Sequence, residues 1–417
     1  MPFLNFFDIK RIIFGITLFG YGVFTLQISN AQETQFITIP YRAFVLLLNF
    51  VLFFHNMEEF RNSKFITNYR TGKNSLNKFI IICTFIFLFL YSCRLVYSVY
   101  LGNEILLYSD KNQYVLYWFC MCVIPGINFL FLEKFSSIKY IYVAWISLAL
   151  IIIPSLFKDI HTSSQFSEQG RLATAAINPI SLGHYATSVS LISFYIILNK
   201  SSFHNKLPSI TNHTLVYLTT FATGIVITFL AGSRGPLLAL LICSVLLLTS
   251  CQLKNKISNY TLWALILLLV LFCVSNTFIG KENLLLNRLL STGDDLDGAD
   301  SQTRGYVYYM AIQLFLEHPI IGFGLELPNA EGYPHNLYLE SFLAIGVSGG
   351  LIFIIIVTYT LMVSIKLIFA KSSQWQWIGV LFIQYFIGGC FSGALYGSSS
   401  FWYFLFAILG IYGSLEK

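Results

Sequence analysis

Charge is what this sequence has least of. Of 417 residues only 11% are Asp, Glu, Lys or Arg, while 56% are hydrophobic, whereas about a quarter of a soluble globular chain is charged. Water is therefore excluded as the main solvent. Also missing are an internal repeat, a low-complexity linker and any polar stretch long enough for a soluble domain, so residues 1–417 read as a single integral membrane domain. The eight cysteines, at 83, 93, 120, 122, 243, 251, 273 and 390, lack metal-ligand spacing and fall in or beside apolar runs. They read as packing residues and not as a disulfide frame. No cofactor is expected. The net charge of +6 reflects topology, and no nucleic-acid partner is expected.

What the chain does have is apolar runs of roughly 17 to 25 residues, enough for a helix to cross about 30 Å of hydrocarbon. Runs this long are helices, because only helices and closed barrels satisfy their backbone in lipid. About twelve spans are expected, near residues 11–29, 38–54, 79–101, 114–132, 139–157, 181–199, 214–232, 235–251, 260–279, 348–370, 375–391 and 397–414. With the N-terminus inside, sixteen Lys and Arg fall in inside segments, from Lys10 and Arg11 to Lys417. Seven fall outside: Lys111, Lys158, Arg171, Arg234, Lys281, Arg288 and Arg304. Basic residues are retained on the cytoplasmic side, so both termini are expected there. Lys10-Arg11, the following apolar run and Ser29-Asn30-Ala31 imitate a cleaved secretory signal, but an uncleaved first helix fits the same pattern and is preferred.

The largest loop, residues 281–335, lies on the outer side, and loops on a rigid scaffold tend to carry function. Within it, Arg304 to Glu317 sets Val307, Met310, Ala311, Leu314 and Phe315 at helical spacing beside Tyr306, Tyr308 and Tyr309, the pattern of a helix lying at the membrane surface. The loop breaks at His318-Pro319 and Gly322-Phe323-Gly324 and passes Pro334-His335-Asn336 into a short helix ending near Gly346. A second outer loop carries Gly170-Arg171-Leu172 ahead of Asn178-Pro179; the turn Gly232-Ser233-Arg234-Gly235-Pro236 joins two apolar helices. An arginine near a helix end can simply snorkel to headgroups. Arg171, Arg234 and Arg304 converging would instead make a diphosphate site, because the guanidinium fork binds phosphate in a bidentate way. His335 suits a general base near neutral pH, its place at a helix start favouring the neutral ring. Glu340, five residues on, is a candidate supporting group. Asp295-Leu296-Asp297 imitates a metal-binding D-x-D pair, but reads better as solvated loop, and no metal site is expected. Arg42 and Arg94 lie within spans and need partners; structural pairing is the default.

The ordered set Ser233-Arg234-Gly235, Arg304, His318-Pro319, Gly322-Phe323-Gly324, Pro334-His335-Asn336-Leu337-Tyr338-Leu339-Glu340 and Gly346 resembles the O-antigen ligase and polymerase superfamily. The resemblance implies a GT-C-like helical bundle in the bacterial inner membrane with a periplasmic active site. It implies inverting, metal-independent glycosyl transfer from an undecaprenyl-diphosphate-linked glycan. Arg234 and Arg304 would hold the donor diphosphate with help from Arg171, His335 would deprotonate the acceptor hydroxyl, and Asn336 and Glu340 would assist substrate binding. The acceptor is either another lipid-linked repeat unit, as in a polymerase, or lipid A-core, as in a ligase; the 318–340 stretch favours polymerase. Membrane lipids and a chain-length regulator protein are further partners that this reading allows. A lipid-linked sugar transporter or flippase is the competing class, and would string its charges through the midplane.

Overall fold

The computed structural model describes residues 6–26, 34–61, 75–102, 111–134, 137–158, 171–174, 176–199, 214–252, 304–328, 332–370 and 374–415. The expected span at 260–279 and the acidic run 294–300 lie outside them. Among the described residues the chain is helical, its only β pairing being the isolated bridge between Leu327 and Gly332. The helices are α1 (Phe6–Thr25), α2 (Thr34–Arg61), α3 (Ser75–Val96) and α4, a composite rod starting at Lys111–Leu116. They continue as α5 (Ser137–Lys158), α6 (Pro179–Leu198), α7 (Thr214–Leu230) and α8 (Arg234–Gln252). The last four are α9 (Arg304–Glu317), α10 (Leu337–Phe369), α11 (Gln376–Ser392) and α12 (Ser399–Leu415). Seven of the described helices are long and apolar enough to cross a membrane, and three shorter ones are also apolar. The protein is thus an all-α, multi-pass membrane protein.

Helix α12 runs through the packed interior, against α3, α4, α10 and α11. Residues 401–411 are buried without interruption, and the rings of Trp402, Trp118, Tyr91, Phe87 and Phe353 interlock beside it at centroid separations of 4.7–6.3 Å. Neighbouring α11 touches α6, α8, α10 and α12. Small residues let α6 and α7 approach closely, as expected where lipid supplies no hydrophobic drive between helices. A Cβ on Gly224 would lie 2.6 Å from the Ala186 carbonyl oxygen, and the hydroxyls of Ser193 and Thr220 meet at 2.9 Å across the same seam.

In a dry interior each interruption of a helix leaves backbone groups that need new partners. Pro125 in α4 has no N–H to give the Met121 carbonyl four residues earlier. The rod widens into a π-turn over Tyr117–Val123 before resuming at Ile124–Asn128, and the Tyr403 hydroxyl of α12 donates to that Met121 carbonyl. Helix α10 breaks at Gly346, with φ 70° and ψ −162°. The turn after α9 answers this break: Phe323 and Gly324 N–H donate to the Leu343 carbonyl at 2.7 and 3.2 Å, while Val347 N–H donates to the Pro319 carbonyl at 2.8 Å. Arg94, whose partner the sequence left open, donates from α3 to the Phe323 carbonyl. It thereby ties the same turn to the bundle.

Helix α9 has the boundaries that its pattern predicts, with Val307, Ala311 and Leu314 buried. These pack on Leu327 and Leu343, so the face expected to meet lipid is spent on α10 and the preceding turn. Tyr309, Ile312 and Leu316 are the exposed edge.

Gly346→Ala is expected to loosen this interlock. The site combines positive φ with a Cβ position 2.6 Å from the Pro319 carbonyl oxygen, and forcing such a conformation costs roughly 1–3 kcal/mol. Limited proteolysis between 318 and 324 and a lowered thermal transition in detergent would report it; wild-type resistance would contradict the interlock.

Candidate functional site

The site collects at one end of the bundle. It takes the C-terminal ends of α1 and α11 and the N-terminal ends of α2, α4, α6, α8, α9, α10 and α12, as alternating helix directions require. A cavity of about 560 Å³ opens among them, lined in part by Tyr21, Arg42, Tyr117, Asn178, Tyr185, Tyr333, His335, Tyr385, Ser392 and Ser399.

His335 owes its place to a local device. It is the one non-glycine residue with positive φ (55°) among the described residues, and the next residue, Asn336, caps α10. The Asn336 Oδ1 accepts from the Tyr338 and Leu339 N–H groups at 3.0 and 3.2 Å, leaving the left-handed turn at His335 as the link to Pro334. The Asn336 Nδ2 donates to the Cys390 carbonyl at 3.1 Å, anchoring the cap to the end of α11. Both ends of this side chain are therefore occupied by protein. The His335 ring is half-buried, packs on Tyr333 at 4.4 Å between centroids and lines the cavity. Burial first, and the Arg304 guanidinium second, push its pKa down to about 4. Both effects favour the neutral ring at neutral pH, the form that the sequence suggested.

Arg171 meets the turn that leads into Arg234 at another corner. The Leu172 N–H donates to the Leu230 carbonyl at 2.8 Å, and Arg171 Nε donates to the Ala231 carbonyl at 3.1 Å. The aliphatic stem of Arg171 thus crosses Gly232, whose φ is 58° and whose Cβ position lies 3.5 Å from the Arg171 Cγ. Arg234 opens α8 two residues later. Gly235 beside it faces Phe391 and Gly388 of α11, next to the Cys390 that holds Asn336. The structure brings Arg171 to the turn just ahead of Arg234, and Arg304 near His335; of the four, only His335 lines the cavity.

Glu340 lies apart from the cavity. It is completely buried, accepting from the Tyr91 hydroxyl at 2.8 Å and from the Leu395 N–H at 2.7 Å, and so joins α10 to α3 and to the α11–α12 turn. Its geometry is that of a brace for the helix that carries His335. A second buried carboxylate, Glu326, accepts from the Tyr114 hydroxyl.

Sequence reasoning passed over Arg42 and the tyrosines as cavity residues. Arg42 does find the structural partner expected of it, donating to the Tyr117 hydroxyl and lying 4.1 Å from that ring's centroid, yet it also lines the cavity. The signal was there, since a cation inside an apolar span is costly and has to be compensated by a partner, water or a ligand. His184, also on the wall, carried no sequence signal beyond its type.

Residues 219–354 match the family model described as O-antigen ligase, a likeness of that segment that supports the O-antigen ligase/polymerase superfamily and membrane glycosyl transfer of that type. The match takes in Arg234, Arg304, His335, Asn336 and Glu340, and stops short of Arg42 and Arg171. No curated protein matches the chain.

If His335 acts as a base, it must be neutral to work. A group whose pKa is lowered to about 4 stays competent as pH falls through 6.5 and is lost only near its own pKa. The acid limb of kcat/KM is expected near pH 4, and Arg304→Gln should move it upward by removing part of the depression. A limb near 6.5 in the wild type would contradict this environment.

Proposed function

We propose that this chain polymerises undecaprenyl-diphosphate-linked repeat units of O-antigen, or of a related surface polysaccharide, by inverting, metal-independent glycosyl transfer at the periplasmic face of the bacterial inner membrane. The observation that carries this reading is a half-buried histidine held on the wall of a roomy cavity, beside Arg304 and at the same end of the bundle as Arg171 and Arg234. The family match over 219–354 supports the reaction class. The excess of Lys and Arg in alternate loops supports both termini being cytoplasmic, which would put this end outside.

In the reaction, the acceptor hydroxyl oxygen attacks the anomeric carbon and the bond from that carbon to the phosphate oxygen breaks. The lipid diphosphate leaves with the electron pair, and His335 takes the hydroxyl proton. A phosphate leaving group needs little covalent help, so positioning and charge neutralisation are the enzyme's main tasks. Arg234 and Arg304, assisted by Arg171, would meet the charge developing on the diphosphate. Asn336 would act through the turn that presents His335, and Glu340 by bracing its helix. Exposed Tyr309, Ile312, Leu316, Ile320 and Ile321 on and after α9 offer an apolar flank for lipid, which suits a polyprenyl-linked donor. A ligase would use the same chemistry on lipid A-core. Placement of the four residues at one end, rather than along a path through the middle, disfavours a transporter.

The first test is a lipopolysaccharide gel from a strain lacking the gene, complemented with wild type or with His335→Ala. Polymerase activity predicts a single repeat unit on lipid A-core, converted to a ladder by wild type only. Bare core with long glycan stranded on the carrier would show a ligase instead. A purified polymerase should lose roughly 10²–10⁴-fold in rate with His335→Ala. Arg234→Lys should also be impaired, because an ammonium cannot reproduce the forked geometry; full activity would remove the bidentate contact.

A further inference from the structure

Arg42 is the one permanently charged side chain among the described residues lining the 560 Å³ cavity, and no carboxylate lines it with Arg42. A guanidinium offers five N–H donors and no acceptor. Here it meets the Tyr117 hydroxyl and ring, and among the described residues no acidic group neutralises it. A cation in an apolar helix with only phenols for company is costly unless water or an anion completes it. The surroundings specify the anion further. Tyr21, Tyr185, Tyr333 and Tyr396 also line the cavity, offering flat apolar faces with polar tips of the kind that suit a pyranose ring and its hydroxyls. The cavity falls within the usual range of small-molecule sites, about 300–1,000 Å³.

We propose that Arg42 and these tyrosines bind a carboxylate-bearing sugar of the glycan, so that the preferred repeat unit contains an acidic sugar. The arginine fork matches a carboxylate in two parallel hydrogen bonds, and the aromatic walls take the ring. Diphosphate is assigned elsewhere, to Arg234 and Arg304, since neither arginine lines this cavity. Tyr333 links the two functions: it packs on His335 at 4.4 Å and on Tyr396 at 6.0 Å. A sugar held against Tyr333 is therefore presented to the base. This inference rests on the glycosyl-transfer reading, which it deepens by naming a substrate class.

The test uses the full-length purified protein in detergent, with D-glucuronate, D-glucose and inorganic pyrophosphate as probes, read by intrinsic fluorescence and thermal shift. Wild type should bind glucuronate about tenfold or more tighter than glucose, as a hydrogen-bonded charge pair implies. That preference should weaken as salt rises and should vanish in Arg42→Gln, with Arg42→Lys retaining part of it. Pyrophosphate binding should survive Arg42→Gln and fall in Arg234→Ala. Equal or absent binding of the two sugars by wild type overturns the proposal, as does a preference that persists without Arg42. Loss of pyrophosphate binding in Arg42→Gln also overturns it, showing a second phosphate contact instead. Undiminished pyrophosphate binding in Arg234→Ala, with the glucuronate preference intact, would unseat the diphosphate assignment and leave the acidic-sugar site standing.

Discussion

The break in α10 at Gly346 is the constraint on which the candidate site depends. A helix interrupted in an apolar setting leaves carbonyl and amide groups without partners, and each such group left unsatisfied costs several kcal/mol in lipid. Here the His318–Gly324 turn supplies those partners through the Leu343 carbonyl and the Val347 amide. Satisfying the break therefore fixes the turn, the turn fixes the end of α9, and the short first part of α10 is held with Asn336 and His335 at its tip. Arg94 secures the turn from α3, and Glu340 ties the helix to α3 and to the α11–α12 turn. The motif residues around the site are in large part its scaffold.

A division of labour follows among the charged groups. Arg171 is held by the Ala231 carbonyl across Gly232 at the α7–α8 turn, just ahead of Arg234. Arg304 acts on His335 through space, reinforcing what burial already does to the ring. Arg42 stands inside the cavity with aromatic company. The cations gather at one end of the bundle because the opposite arrangement, charge along the midplane, would need compensating groups at depth.

Much of this was legible beforehand. Span placement follows from run length, and eleven of the twelve expected spans coincide with described helices. The boundaries of α9 and the break at Gly346 were readable from local chemistry: a 3.6-residue period and a glycine closing a short helix. What α9 packs against was not, because periodicity shows that a face is apolar without saying whether protein or lipid covers it. The role of Glu340 was equally hidden. Its partners Tyr91 and Leu395 lie 249 and 55 residues away, and nothing local distinguishes a carboxylate that braces a helix from one that meets substrate.

By itself the sequence determined that this chain is a helical membrane protein, where its helices run and which few polar residues are out of place in them, since each property depends on composition over a short window. Tertiary structure alone decided which of those residues share a space. It placed His335 and Arg42 on one cavity, left the other arginines at neighbouring corners and withdrew Glu340 into the core. The physical reason is that side-chain encounters across helices are set by packing and by the hydrogen bonds that broken helices demand, and both join residues far apart in the chain.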